Sequence, residues 1–146
     1  MSATAAFETA LLTLYFNNTD HANVGDAAGI QNSAAAGNFH VSLHTGDPGE
    51  TGTQTTSEAT YTDYARVAVA RSAAGWTVSG ANVSNAAAIT FPVASAGTNT
   101  ITHFGIGSDA SGAGNLFFKG ALAASRVVSA GITPSFAIGE LDVTAD

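Results

Sequence analysis

The chain has 146 residues and no cysteine, and its four Lys or Arg residues face eleven Asp or Glu residues, a formal net charge of −7 at pH 7. The lack of cysteine excludes disulfides, thiolate zinc sites and cysteine nucleophiles, and the acidic balance argues against binding to nucleic acid or to an anionic membrane surface. Only 10% of the residues are charged, against roughly 25% in ordinary soluble domains, so we expect a surface rich in small uncharged residues that suits packing against neighbouring subunits.

Residues 3–16 are predicted to form an amphipathic helix, which Ser2 or Thr4 can cap at its first turn. Its apolar face is expected to consist of Phe7, Leu11, Leu14 and Tyr15, which recur at helical spacing. The stretch carries Glu8 and no basic segment, so we expect it to belong to the mature protein and not to a signal peptide. A helix of this length is marginal alone and must dock on its own domain or on a partner chain.

The segment 17–38 is small and polar and is predicted to be a connector, and β patterns begin at Phe39. Strand patterns cover 39–44, 65–71, 75–80, 87–93, 99–107, 115–122, 125–129, 134–139 and 140–144. One helix followed by about nine short strands predicts a single, mainly β domain over residues 1–146. Residues 39–146 are expected to form an antiparallel β-sandwich or a jelly-roll-like fold.

His40 and His44 lie four residues apart in "FHVSLH", where apolar and polar residues alternate with the period of a strand. At about 3.3 Å per residue, side chains four apart on a strand are roughly 13 Å apart, whereas zinc ligands lie about 2 Å from the metal. We therefore interpret the pair as two histidines on a polar strand face and predict no metal site there.

The following "HTGDPGETGTQTTSEATY" is predicted to be a turn and a long loop, because Asp47, Pro48 and Gly49 have reverse-turn chemistry. Its carboxylates lack the spacing of an EF-hand loop, although four of them could still form an opportunistic calcium site. The four are Asp47, Glu50, Glu58 and Asp63. Solvated loop carboxylates are the favoured interpretation.

Several other features are compatible with catalysis or binding, but each has a simpler structural explanation. The glycine-rich "GIGSDASGAG" has no Walker or dinucleotide-binding spacing and is predicted to be a hairpin loop. His103 and Trp76 are expected in the core or at an interface, and Arg66 and Arg71 are expected to pair with carboxylates. We predict no catalytic set, no enzymatic activity and no cofactor.

Four strings of the sequence resemble a family of small virion structural proteins of tailed bacteriophages, variously labelled head decoration or tail-fibre-like proteins. They are "VSLHTGDPGETGTQTTSEATYTDYARVAVAR", "GWTVSGANVSNAAAITFP", "THFGIGSDASGAGNLFFKGAL" and "ITPSFAIGELDVTAD". None of these motifs is catalytic. The resemblance implies a virion protein, made in the host cytoplasm, that contacts copies of itself and the phage shell.

The leading hypothesis is a capsid decoration, or cement, protein on the outer surface of the phage head. Its expected partners are copies of itself, with a trimer favoured, and the major capsid protein. The alternatives are a tail- or fibre-associated subunit, a host-surface binder, and a glycan-directed enzyme or lectin-like module. The candidate partner-docking residues are Phe7, Leu11, Leu14, Tyr15, Asp47, Pro48, Arg66, Arg71 and Trp76.

Overall fold

A computed structural model describes residues 2–145, which form one helix and nine strands. The helix is α1 (Ala5–Asn17). The strands are β1 (Asn38–His44), β2 (Val67–Ala70), β3 (Trp76–Ser79), β4 (Asn82–Asn85), β5 (Ile89–Thr90), β6 (Thr98–Gly107), β7 (Leu116–Ser129), β8 (Ser135–Phe136) and β9 (Asp142–Thr144). The predicted class, mainly β with antiparallel sheets and one helix near the N-terminus, is confirmed.

The chain divides into two compact units, each built from separate segments of the sequence. The first comprises Met1–Asn38, Ala70–Ala88 and Phe136–Asp146, and the second comprises Phe39–Val69 and Ile89–Ser135. The prediction of a single domain over 1–146 stays a prediction. No helix within residues 2–145 is long and apolar enough to span a membrane.

The first unit joins α1 to the antiparallel sheet β3-β4-β9. The Thr4 side chain accepts a hydrogen bond from the Phe7 amide and so caps the helix, as predicted. At the other end of the helix, the guanidinium of Arg71 donates to the carbonyls of Leu14 and Tyr15 at 3.0 and 2.6 Å. These carbonyls have no partner within the helix, and a cation near them also complements the helix dipole.

The face of α1 that packs on its own unit is not the apolar face named from the sequence, for which docking on the same domain or on a partner chain was left open. Leu12 and Phe16 are buried, and the Phe16 ring packs edge-on against Trp76 with 4.9 Å between ring centroids. Phe7 and Tyr15 are exposed instead, with relative accessibilities of 49% and 43%. The helix has apolar residues on more than one face, and spacing alone does not tell which of them meets the core.

The second unit contains the sheet β2-β1-β6-β7, in which β6 pairs antiparallel with both β1 and β7. Several of its apolar side chains are buried, among them Val41, Leu43 and Ile106, whereas Phe117 and Val127 of β7 are exposed. The β6–β7 register shifts between Ile101, which faces Arg126, and His103, which faces Ala121. Five steps along β7 therefore oppose two along β6, so three extra residues of β7 form a bulge or irregularity at this point.

Strand prediction was correct for most elements and wrong in two places. The two strands predicted at 115–122 and 125–129 form one continuous strand, β7. The predicted gap between them coincides with the bulge. β4 was not predicted, because "NVSN" contains a single apolar residue, Val83. It is held on both sides, by β3 and by β9, so tertiary pairing and not local pattern makes it a strand.

Candidate functional site

The polar face of β1 is buried, in contrast to the solvated face that such an alternation usually indicates. His40, Ser42 and His44 lie opposite Gly107, Gly105 and His103 of β6, and facing residues of antiparallel strands point to the same side of the sheet. Ser42 and His44 are both 0% exposed. The segment 46–63, called the strap below, contributes hydrogen bonds and ion pairs to this part of the unit.

His44 connects the strap to the sheet. Its Nδ1 lies 2.8 Å from the Thr56 carbonyl oxygen, and its Nε2 lies 2.8 Å from the Ser42 hydroxyl. A carbonyl only accepts, so Nδ1 carries the proton, and in the neutral ring Nε2 accepts from Ser42. Burial lowers the pKa of His44, and this effect exceeds the opposing influence of the Thr56 hydrogen bond and of Glu58.

Arg66 and Glu58 form an ion pair at the end of the strap. The guanidinium contacts both carboxylate oxygens, with Nε–Oε1 at 2.6 Å and Nη2–Oε2 at 2.8 Å, and the two side chains are 2% and 15% exposed. The hydrogen bond to Glu58 raises the pKa of Arg66. Pairing of Arg66 with a carboxylate is therefore confirmed, in a bidentate geometry that fixes orientation as well as charge.

The same guanidinium also binds the hairpin loop between β6 and β7, residues 108–115; the first three residues of the predicted loop, 105–107, belong to β6. Nη1 donates to the carbonyl of Asp109 at 2.8 Å, and Nη2 donates to the carbonyl of Gly112 at 2.7 Å. Tyr64 completes the cluster, because its hydroxyl donates to Glu58 and accepts from the Leu43 amide. Burial raises the pKa of Tyr64, so this hydroxyl stays protonated.

Lys119 of β7 holds the beginning of the strap. Its Nζ lies 3.0 Å from Asp47 and 3.1 Å from Glu50, and these hydrogen bonds raise the pKa of Lys119. The Gly49 amide and then Lys119 lower the pKa of Asp47. Two of the four carboxylates considered for calcium are thus bonded to a lysine and a third to an arginine. Within residues 2–145 no three metal-binding side chains are grouped.

Two glycines of β6 make room for the strap and for His44. A Cβ on Gly105 would come within 2.7 Å of both His44 Nε2 and the Ser42 hydroxyl. A Cβ on Gly107 would collide with the Gln54 side chain and would lie 2.5 Å from the Asn115 carbonyl oxygen. Gln54 is buried and exchanges two hydrogen bonds with the Asp109 backbone. The glycines are required here for close packing.

The other candidate docking residues are distributed over both units. Phe7 and Tyr15 are exposed, Leu11 and Leu14 are half-buried, and Asp47 is at the surface. Pro48 and Trp76 are buried. Trp76 was expected in the core or at an interface, and it lies in the core. Arg71 donates to the carbonyls of Leu14, Tyr15 and Ala36, and the expected pairing of Arg71 with a carboxylate stays a prediction.

Several residues that organise the strap were not singled out from the sequence. They are Ser42, Gln54, Tyr64, Gly105, Gly107 and Lys119. Most of their contacts join residues far apart in the chain, and no local motif marks such pairs. The one available signal was the pair of glycines in the apolar strand "THFGIG", since glycine inside a strand often marks a close approach.

The outer side of the strap has a chemistry suited to contact with another protein. Its exposed residues include the hydroxyl-bearing Thr51, Thr55, Ser57 and Thr60. Buried side chains hold the backbone beneath them in one conformation. Binding of a partner would therefore not have to pay the conformational entropy of ordering this loop. The arrangement presents hydrogen-bonding groups on a fixed loop.

Comparison with known protein families identifies a match to this chain. The family described as podophage GP4 fiber I protein gp80 matches residues 2–144, nearly the whole chain. No curated protein matches it.

Proposed function

The chain belongs to the podophage GP4 fiber I protein gp80 family, and we propose that it is a fibre-associated structural subunit of a phage virion. Membership of a phage fibre family makes it a virion structural protein, the level at which the resemblance seen in the sequence is confirmed. The match over residues 2–144 is the observation that carries the proposal. It favours the fibre location, which the sequence analysis ranked second.

Capsid decoration, the leading expectation from the sequence, becomes the second candidate. A surface poor in charge suits close contact between subunits on a head as well as in a fibre, and only 10% of the residues are charged. In either location the proposed partners are further copies of this chain, with a trimer favoured, and an adjacent virion protein. On the head that neighbour would be the major capsid protein. The proposal includes no enzymatic activity, no cofactor and no binding to nucleic acid or membrane.

Two surfaces are proposed to make these contacts. The strap offers exposed hydroxyls on a fixed backbone, and its ion pairs with Lys119 and Arg66 keep that backbone in place. The second surface is the outward side of α1, where Phe7 and Tyr15 expose aromatic area. Aromatic residues are enriched where proteins meet, because they bury a large area at a small cost in conformational entropy.

The number of copies in each particle tests the location. Quantitative mass spectrometry of purified virions would give the ratio of this chain to the major capsid protein. A few copies per particle, as a tail with a small set of fibres requires, is the expected result. A ratio near one, or a simple fraction of the capsid subunit count, would overturn the fibre proposal and support decoration of the head lattice.

A further inference from the structure

We propose that the strap, residues 46–63, is a pH-sensitive cover, and that protonation of His44 in mild acid loosens its contact with the sheet. The inference rests on the geometry around His44 and does not depend on the proposed function. His44 belongs to β1 but uses one ring nitrogen to bind the strap at Thr56 and the other to bind Ser42 of its own strand. The ring joins the two segments and is 0% exposed, so a second proton would have to be accommodated where water does not reach it.

The groups that face His44 offer poor compensation for a second proton on the ring. On β1 its neighbour is the uncharged Ser42 hydroxyl, and directly opposite on β6 lies another histidine, His103. Arg66, which follows the strap in the chain, contributes a positive charge near His44. Tyr64 donates a hydrogen bond to Glu58 and is neutral. The nearby carboxylate, Glu58, already accepts two hydrogen bonds from Arg66.

The charges of Lys119, Arg66 and Asp47 do not change between pH 7.5 and pH 5. Lys119 and Arg66 have raised pKa values and stay positive, and Asp47 has a lowered pKa and stays negative. Lys119 reaches Asp47 and Glu50 at the opposite end of the strap from Thr56. The contacts of Lys119, Arg66 and Asp47 therefore do not supply a pH response of the strap in this range, whereas a buried histidine can supply one.

The direction of the effect follows from proton linkage. Burial lowers the pKa of His44 in the closed state relative to the ordinary value of 6.5, which the ring regains when the strap opens. The open state then binds protons more readily, so the closed state is fully favoured above about pH 6.5 and loses stability as the pH falls below that value. One such proton increases the population of the open state up to about tenfold per pH unit.

Hydrogen–deuterium exchange of the full chain tests this directly. Protected amides of the strap include Gln54, which donates to the Ala113 carbonyl, and Ala59, which donates to the Leu43 carbonyl. After correction for intrinsic exchange, these amides are expected to exchange faster at pH 5 than at pH 7.5, by up to about thirtyfold for one proton. Equal protection at the two pH values would overturn the proposal.

Two variants assign the effect to a residue. His44→Gln keeps a donor for Thr56 and an acceptor for Ser42 but does not titrate, so its strap should exchange at the same corrected rate at both pH values. His103→Gln is the matched control, because His103 lies opposite His44 in the same sheet, and it should retain the response. A response that survives in His44→Gln or disappears in His103→Gln would overturn the assignment to His44.

A measurement on the unmodified protein covers the case in which His44→Gln does not fold. The ring proton signals of His44, followed by NMR between pH 8 and pH 4.5, should shift only below the pH at which an exposed histidine titrates. Signals of the strap backbone should change together with them. Titration of His44 at or above the ordinary histidine pKa, with an unchanged strap, would contradict the mechanism.

Discussion

Arg66 joins three parts of the second unit through one side chain. Its guanidinium binds Glu58 in the strap and the carbonyls of Asp109 and Gly112 in the hairpin loop. The side chain is 2% exposed, so its charge is stabilised by these groups and hardly by water. A buried arginine depends on its carboxylate, because a guanidinium left with neutral partners keeps most of its desolvation cost.

Replacing Glu58 by Gln should therefore destabilise the protein strongly. Loss of one partner of a buried ion pair costs about 3–5 kcal/mol, and we expect about 2–3 kcal/mol here because Glu58 is 15% exposed. Urea unfolding followed by circular dichroism measures the change. Lys119→Gln is the matched control, since it breaks an ion pair whose partner Asp47 is 54% exposed, and its unfolding midpoint should stay close to that of the unchanged protein. Equal midpoints for the two variants would contradict this account.

Gly107 should be intolerant of even one added methyl group. An alanine there would press on the buried Gln54 side chain and on the Asn115 carbonyl oxygen, which belongs to the backbone and cannot turn away. Overpacking of this kind typically costs about 1–3 kcal/mol. Gly46→Ala is the control, because the nearest atom to its added Cβ is 3.6 Å away. Thermal unfolding should separate the two variants, and a Gly107→Ala protein as stable as Gly46→Ala would show that the strap does not pack as described.

Among the elements, α1 attaches to its unit through Leu12 and Phe16 and leaves Phe7 and Tyr15 outside. Phe16→Ala should remove the ring that packs on Trp76 and cost about 3–5 kcal/mol. Tyr15→Ala changes an adjacent aromatic residue on the exposed side and should cost less than about 1 kcal/mol. Chemical denaturation of both variants measures the difference in the free energy of unfolding. A larger decrease for Tyr15→Ala than for Phe16→Ala would contradict the attachment of α1 through Phe16.

The sequence predicts local elements of this protein well and their long-range partners poorly. The alternation of Phe39, Val41 and Leu43 with polar residues predicts a strand, and the structure has strand β1 there. The alternation does not say that the strap buries the polar side, because that depends on residues such as Gln54 and Gly107, more than fifty positions apart. The helix shows the same limit, since Leu12 and Phe16 have the same spacing as Phe7 and Leu11.

For the whole molecule, the acidic charge favours contacts that do not bring two carboxylate-rich surfaces together. The net charge of −7 makes copies of the chain repel one another at low salt. Of the four strap carboxylates, Asp47 and Glu50 share Lys119 and Glu58 pairs with Arg66, so about half of the negative charge of the strap is balanced within the chain. Contacts through the strap would therefore add less like-charge repulsion than four unpaired carboxylates would. This supports the strap as a proposed contact surface in an assembly of several copies.

Virions that lack this chain should reveal its role at the level of the particle. A fibre-associated subunit contributes to attachment, so such particles should adsorb poorly to host cells while their heads resist heating and chelation as well as complete particles do. A cement protein would give the reverse result, because its binding adds interface only in the assembled shell and so stabilises that state. Adsorption assays and release of DNA on heating measure the two properties, and production of the unchanged protein from a second copy of its gene should restore whichever is lost. Heads that rupture early while adsorption stays normal would contradict the fibre proposal.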